Sequence, residues 1–141
     1  MSTEENKAVM RLIEEAYNKG NLAGVDGVVA SNFLFSSPGM EVKGRESYKQ
    51  QIITGMRTAF PDLHFATDDM VAEGDKIAIS YTMTATHKGE FMGIPPTGKK
   101  VAVTGISIVH FAGGKMVESW GIMDDLGMMR QLGVIPPMGQ A

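Results

Sequence analysis

The sequence predicts an α+β domain in which helices pack on one face of a curved, mostly antiparallel sheet. Three observations predict it. Apolar residues recur at helical spacing up to Phe60, then alternate with a period of two from Leu63 to Asp124. Helices followed by strands, rather than interleaved with them, are the order of an α+β chain. No linker or internal repeat divides the 141 residues, so residues 1–141 form a single domain.

Each element has a local cause. Ser2-Thr3-Glu4-Glu5 has the spacing of a capping box. Ala8, Val9, Leu12, Ile13, Ala16 and Tyr17 follow on one face, and Gly20 supplies a stop, so the first helix runs from about residue 4 to residue 19. A weaker second helix spans Leu22 to Val29, interrupted by Gly24 and Gly27. Phe33-Leu34-Phe35-Ser36 is a short strand ended by Ser37-Pro38-Gly39, and Val42 sits in another. Tyr48, Ile52, Met56 and Ala59 share a face of a third helix, which Pro61 ends. Leu63 to Ala72 is a strand. Ile77, Ile79, Tyr81, Met83, Ala85 and His87 then alternate with Ser80, Thr82, Thr84 and Thr86, as in a half-buried strand. The stretch from Lys88 to Lys100 reads as a long loop at a rim. Asp125 could cap a last helix through Leu126, Met128, Met129 and Leu132.

Two apolar runs, Gly105 to Phe111 and Met116 to Asp124, flank Gly113-Gly114 and read as a hairpin. A three-residue loop Ala112-Gly113-Gly114 would pair Phe111 with Lys115 and put His110 and Asp124 on one side of the sheet. A two-residue Gly113-Gly114 turn shifts the register by one and separates them. The three-residue loop is the reading adopted here, and the catalytic reading depends on it.

Formal charge is −3 and no basic stripe occurs, so nucleic acid is not an expected partner. The chain has no cysteine, which removes disulfides, thiolate chemistry and cysteine-ligated metal and fits a cytoplasmic location. The N-terminus lacks an apolar signal core and no run approaches a membrane span. The three histidines form no metal-binding motif, and no phosphate-binding glycine loop occurs. Neither a metal nor any other cofactor is expected. Twelve methionines suit either an ordinary core or an irregular apolar cavity.

Asp124 is the leading candidate for chemistry. It ends an apolar strand on the same side as Trp120 and Ile122, where desolvation would raise its pKa and equip it for proton transfer beside a carbonyl. Its alternative role is a helix cap, and the adjacent pair Asp124-Asp125 allows both jobs, one each. His110 could polarise a carbonyl or be a surface residue. His87 could line a pocket or sit at a strand end. Trp120 suits a core or a ligand platform.

Further motifs carry a family likeness. Ala59-Phe60-Pro61-Asp62-Leu63, Glu73-Gly74-Asp75-Lys76, His87-Lys88-Gly89-Glu90-Phe91, Ile94-Pro95-Pro96-Thr97-Gly98-Lys99 and Gly114-Lys115-Met116-Val117-Glu118-Ser119-Trp120 occur in order, closed by Asp124 to Gly133. Together they resemble the SnoaL-like polyketide cyclases, also termed ester cyclases. The resemblance implies a nuclear transport factor 2-like, cone-shaped α+β barrel, a homodimer or higher assembly, and a cofactor-free intramolecular aldol condensation. It implies an aspartate at the end of the last strand as acid/base, matched by Asp124, assisted by a histidine on the preceding strand, matched by His110. Ile122, two residues before Asp124, departs from the family's more polar pattern and implies a plainer pocket. The resulting expectation is catalysis by Asp124 and His110 on an apolar small molecule, in a cavity shaped by Trp120, His87, Phe91, Tyr81, Phe35 and Ile122. A non-catalytic binding protein, an isomerase of the same fold, and a dimer module pairing through a sheet face (Ser80, Thr82, Thr84, Thr86) are the alternatives.

Overall fold

The computed structural model describes residues 2–136. Helix α1 (Thr3–Lys19) begins where the capping box placed it: the Ser2 hydroxyl accepts from the Glu5 amide at 3.1 Å. It ends at Gly20, left-handed at φ 74°. Helix α2 is shorter than expected, four residues from Ala23 to Asp26. Strands β1 (Val29–Ser37) and β2 (Met40–Lys43) form a hairpin. A helical run follows as α3 (Arg45–Ser47), a π-helical segment (Tyr48–Thr54) and α4 (Gly55–Ala59). The sequence periodicity gave no sign of the π segment. Strands β3 (His64–Glu73), β4 (Lys76–Thr86), β5 (Lys100–Ala112) and β6 (Lys115–Met123) precede the last helix, α5 (Asp125–Gln131).

The six strands form one curved sheet, ordered β2-β1-β6-β5-β4-β3 and open at both edges. Every neighbouring pair is antiparallel except β1 with β6. Strand alternation sends Ile77, Met83 and Ala85 inward as the sequence predicted, and all three are buried. Two cores result. One lies under α1, around Ile13, Phe33, Tyr48 and Val109. The other lies beneath α5, around Phe60, Met83, Val103 and Met128. No helix among the described residues is long and apolar enough to cross a membrane.

The hairpin corrects the adopted reading. Gly113 and Gly114 form a two-residue turn, both left-handed at φ 59° and 78°, with Ala112 opposite Lys115. Two successive left-handed residues make a turn that follows the strand twist, which glycine adopts without steric cost. A bulge at Val117 then shifts the register, so that His110 faces Glu118 and Ile108 faces Trp120. The bulge cancels the one-residue slip. His110, Trp120 and Ile122 therefore do share a side of the sheet, but it is the outer side.

Side-chain amides close backbone gaps in the sheet. At the β3 edge, Asn18 donates from Nδ2 to the Phe65 carbonyl (3.0 Å) and accepts from the Phe65 amide (2.7 Å). It thus acts as a one-residue strand and covers an open edge. Gln131 does the same for Ala102 on β5, beyond the end of β6. Arg57 Nη1 donates to the Tyr17 and Asn18 carbonyls, which would otherwise be unpaired at the end of α1. Asn18→Ala removes both edge bonds and is expected to lower stability by about 1–3 kcal/mol. The check is the urea midpoint; an unchanged value would mean that water serves the β3 edge equally well.

Candidate active site

A cavity of about 510 Å³ lies between the inner face of the sheet and the helices, a size suited to a small organic ligand. Its floor is unusual. Between Val109 and Met116 at one end and Met123 at the other, β5 and β6 line it with the small residues Ser107, Ser119 and Gly121, which leave room above the sheet. A Cβ at Gly105 would collide with the Tyr81 ring. The cross-strand partner Tyr81 therefore lies over the bare glycine backbone. Aromatic rings continue around the wall. Tyr17 packs edge-on against Phe65 at 4.9 Å, and Phe65 against Tyr81 at 5.3 Å. Tyr48 meets Phe33 at 4.9 Å and Phe35 at 5.6 Å.

Polar groups stand at defined points in this apolar setting. The Tyr17 and Tyr48 hydroxyls are 3.0 Å apart and hydrogen-bonded. Burial, then the neighbouring Tyr48, holds Tyr17 well above the ordinary tyrosine value. Burial pushes Tyr48 up to about 12, against the opposing bond from Tyr17. Both remain neutral donors at physiological pH. Tyr81 is also raised to about 12, by burial first and then by the charge of Asp125, with the Ser107 hydroxyl acting the other way. Asp125, the first residue of α5, lines the cavity at its rim and, like Asp124, is an exposed residue. Its carboxyl is raised above the ordinary value by burial and then by the adjacent Asp124.

The two adjacent aspartates are placed the other way round from the expectation: Asp125 lines the cavity and Asp124 caps the helix. Asp124 is exposed, and its Oδ1 accepts from the Gly127 amide at 2.9 Å as the N-cap of α5. It does not line the cavity. His110 sits on the outer face between Lys76 and Glu118. Asp124 lies six residues beyond Glu118 along β6, roughly 20 Å away at strand rise. The hairpin therefore holds these two at opposite ends, and they cannot share a proton.

The remaining predicted residues also separate. Phe35, Tyr81 and Phe91 line the cavity. Ile122 borders it, but its side chain alternates outward to pair with Ile106, and Trp120 pairs with Ile108 on the same outer face. Trp120 is 46% exposed, so it is no ligand platform within the cavity. His87 is fully buried in the second core, its ring 5.6 Å from Phe60. Its Nδ1 accepts from the Thr97 amide at 3.2 Å, which leaves the proton on Nε2, and Nε2 has no partner among the described residues. His87 anchors the loop after β4: its amide donates to Lys99 and its carbonyl accepts from Gly98. The loop tip, Phe91 to Ile94, reaches the cavity mouth through Met92, left-handed at φ 51°.

Sequence reasoning missed Asp125, Tyr17 and Tyr48 as a group. Tyr17 and Tyr48 were visible only as apolar positions on two helices, and nothing local shows that those helices cross the same cavity.

A curved six-stranded sheet covered by helices, with a cavity between the two layers, defines an α+β class of fold. Within that class, the model for the SnoaL-like polyketide cyclases matches residues 7–132, and the chain belongs to that family. It is 27% identical over 139 residues to the aklanonic acid methyl ester cyclase DnrD of Streptomyces peucetius, covering 94% of this chain and 92% of the relative. Among solved structures it is similar to TsrD from Streptomyces laurentii, with 29% identity, a TM-score of 0.88 and coverage of 96% and 99% of the two chains. AclR from Streptomyces galilaeus, a candidate hydroxylase, is 32% identical with a TM-score of 0.85, over 99% of this chain and 87% of that one.

Proposed function

We propose that the protein is a cofactor-free acid/base enzyme of the cyclase type. It acts on a carbonyl compound with a largely apolar body. Asp125 removes the proton α to the carbonyl. The Tyr17–Tyr48 pair donates a hydrogen bond to the oxygen that becomes the enolate. The enolate carbon attacks a second carbonyl carbon of the same molecule, whose π bond opens to an alkoxide, and the carboxyl returns the proton to that oxygen. The observation that carries this reading is a carboxyl at the rim of an aromatic-walled cavity that also holds a hydrogen-bonded tyrosine pair. A carboxylate base and hydroxyl donors lining one cavity are the groups that enolate chemistry needs.

Aklanonic acid methyl ester, the compound named for the DnrD relative, is the first substrate to test. The expected product is an isomer of unchanged mass, and its formation should depend on Asp125. A product that has gained an oxygen atom would point instead to the hydroxylase suggested for AclR. Tight binding without turnover would support a non-catalytic carrier.

The outer face is the proposed contact with a second copy of the chain. Ile106, Ile108, Trp120 and Ile122 form a two-by-two apolar block at the centre of the sheet, each well exposed. Such a block is what a self-complementary pairing needs. The hydroxyl row proposed from sequence lies beside it on β4, except that Thr86 is buried and bonded to Asp62. Trp120→Lys is expected to yield monomers in sedimentation, and an unchanged assembly would exclude this face.

A further inference from the structure

We infer that the cavity selects its ligand by the sign of its charge, with affinity rising from carboxylate through neutral to ammonium. This rests on the proposed acid/base reading only for the location of the ligand, not for the chemistry. Three carboxylates line the cavity from three separate elements: Glu14 on α1, Glu90 on the loop after β4, and Asp125 on α5. Among the described residues, no lysine, arginine or histidine lines it. Glu14 is fixed in place, because its Oε1 accepts from both the amide and the hydroxyl of Thr67, at 2.8 and 2.9 Å. Six aromatic rings complete the wall: Tyr17, Tyr48, Tyr81, Phe35, Phe65 and Phe91.

The physical consequence follows from both sets of groups. A ligand carboxylate entering this space loses water and finds no counter-ion, while facing fixed negative charge. An ester of the same acid meets neither penalty. A protonated amine gains twice, from the carboxylates and from the negative faces of the rings. Each facing carboxylate should change affinity by on the order of tenfold between ligands of opposite charge, less at high salt. Glu14 and Glu90 are thus specificity-determining residues, separate from the proton-transferring Asp125.

The test is calorimetric binding of three acetylnaphthalenes that differ only in a substituent on the far ring: a carboxylate, its methyl ester, or a dimethylaminomethyl group. The expected order is amine tightest and carboxylate weakest, with at least a tenfold step across the series. The order should compress in the double variant Glu14→Gln, Glu90→Gln. Glutamine at position 14 keeps an oxygen to accept from Thr67, so the fold is retained; circular dichroism checks this. Equal affinities, a carboxylate that binds best, binding of none of the three, or an order unchanged in the double variant would each overturn the inference. Because no turnover is involved, the order can hold while Asp125 proves dispensable for catalysis, or fail while catalysis stands.

Discussion

Asp125→Asn is expected to reduce turnover about 10²–10⁴-fold, the usual contribution of a single general acid/base group. Asparagine keeps the size and removes the basic oxygen, so the ligand should still bind and the loss should fall on kcat. Asp124→Asn is the matched control. Asparagine also accepts at an N-cap, so α5 should persist and kcat should change little. A second readout separates chemistry from folding. The Asp125 carboxyl is raised in the folded state. Between the unfolded and folded values, the folded protein binds more protons than the unfolded chain. Stability therefore falls as pH rises through that window, and above it the ionised group remains a net cost. Asp125→Asn should remove this dependence, leaving a protein no less stable at neutral pH while its activity is lost. Equal kcat for the wild type and the Asp125 variant, with the control also unaffected, would remove the proposed base.

The same aspartate pair shows how far the sequence could be read. The capping box at Ser2, the stop at Gly20 and the alternation from Ile77 to His87 are local patterns, and each gave its element directly. The position of the cavity is not local. At the middle of β5 and β6 the large apolar residues Ile106, Ile108, Trp120 and Ile122 face outward, while Ser107, Ser119 and Gly121 face the cavity. Hydrophobicity is inverted there, because a cavity floor needs small residues and the outer face is itself apolar. A period of two reveals that two faces exist but not which one the helices cover. Reading the greasy face as the inner one placed Trp120, Ile122 and Asp124 in the pocket, and the bulge at Val117 left no trace that could correct the register. Adjacent carboxylates were legible as a shared site. Which of them caps the helix is decided by the direction in which α5 leaves the sheet, and only the folded chain fixes that.

Phe60→Ala should carry the largest cost in stability. Phe60 is completely buried, and it meets Phe91 at 5.1 Å and His87 at 5.6 Å within the second core. Truncating such a ring loses its transfer free energy and leaves a void, together about 3–5 kcal/mol. For a chain of this length that corresponds to a fall in Tm of roughly 10–20 °C. The lower half of the range is expected, for a specific reason. The His87 Nε2 proton faces no acceptor in the native packing. The space vacated by the ring would let a water reach it, and one new hydrogen bond offsets part of the void. The double variant Phe60→Ala, His87→Phe removes that proton and fills the imidazole site with an apolar ring. If hydration of Nε2 is what softens the single truncation, the double variant will be destabilised beyond the sum of the two single variants by about 1 kcal/mol or more. Strict additivity would mean the void stays dry. Ligand affinity supplies the functional reading of the same change, because Phe91 forms part of the cavity wall and rests on Phe60. Below the transition temperature the truncated protein should bind more weakly while its kcat at saturation is kept, since the Tyr17–Tyr48 hydrogen bond and the capped start of α5 are held by other contacts.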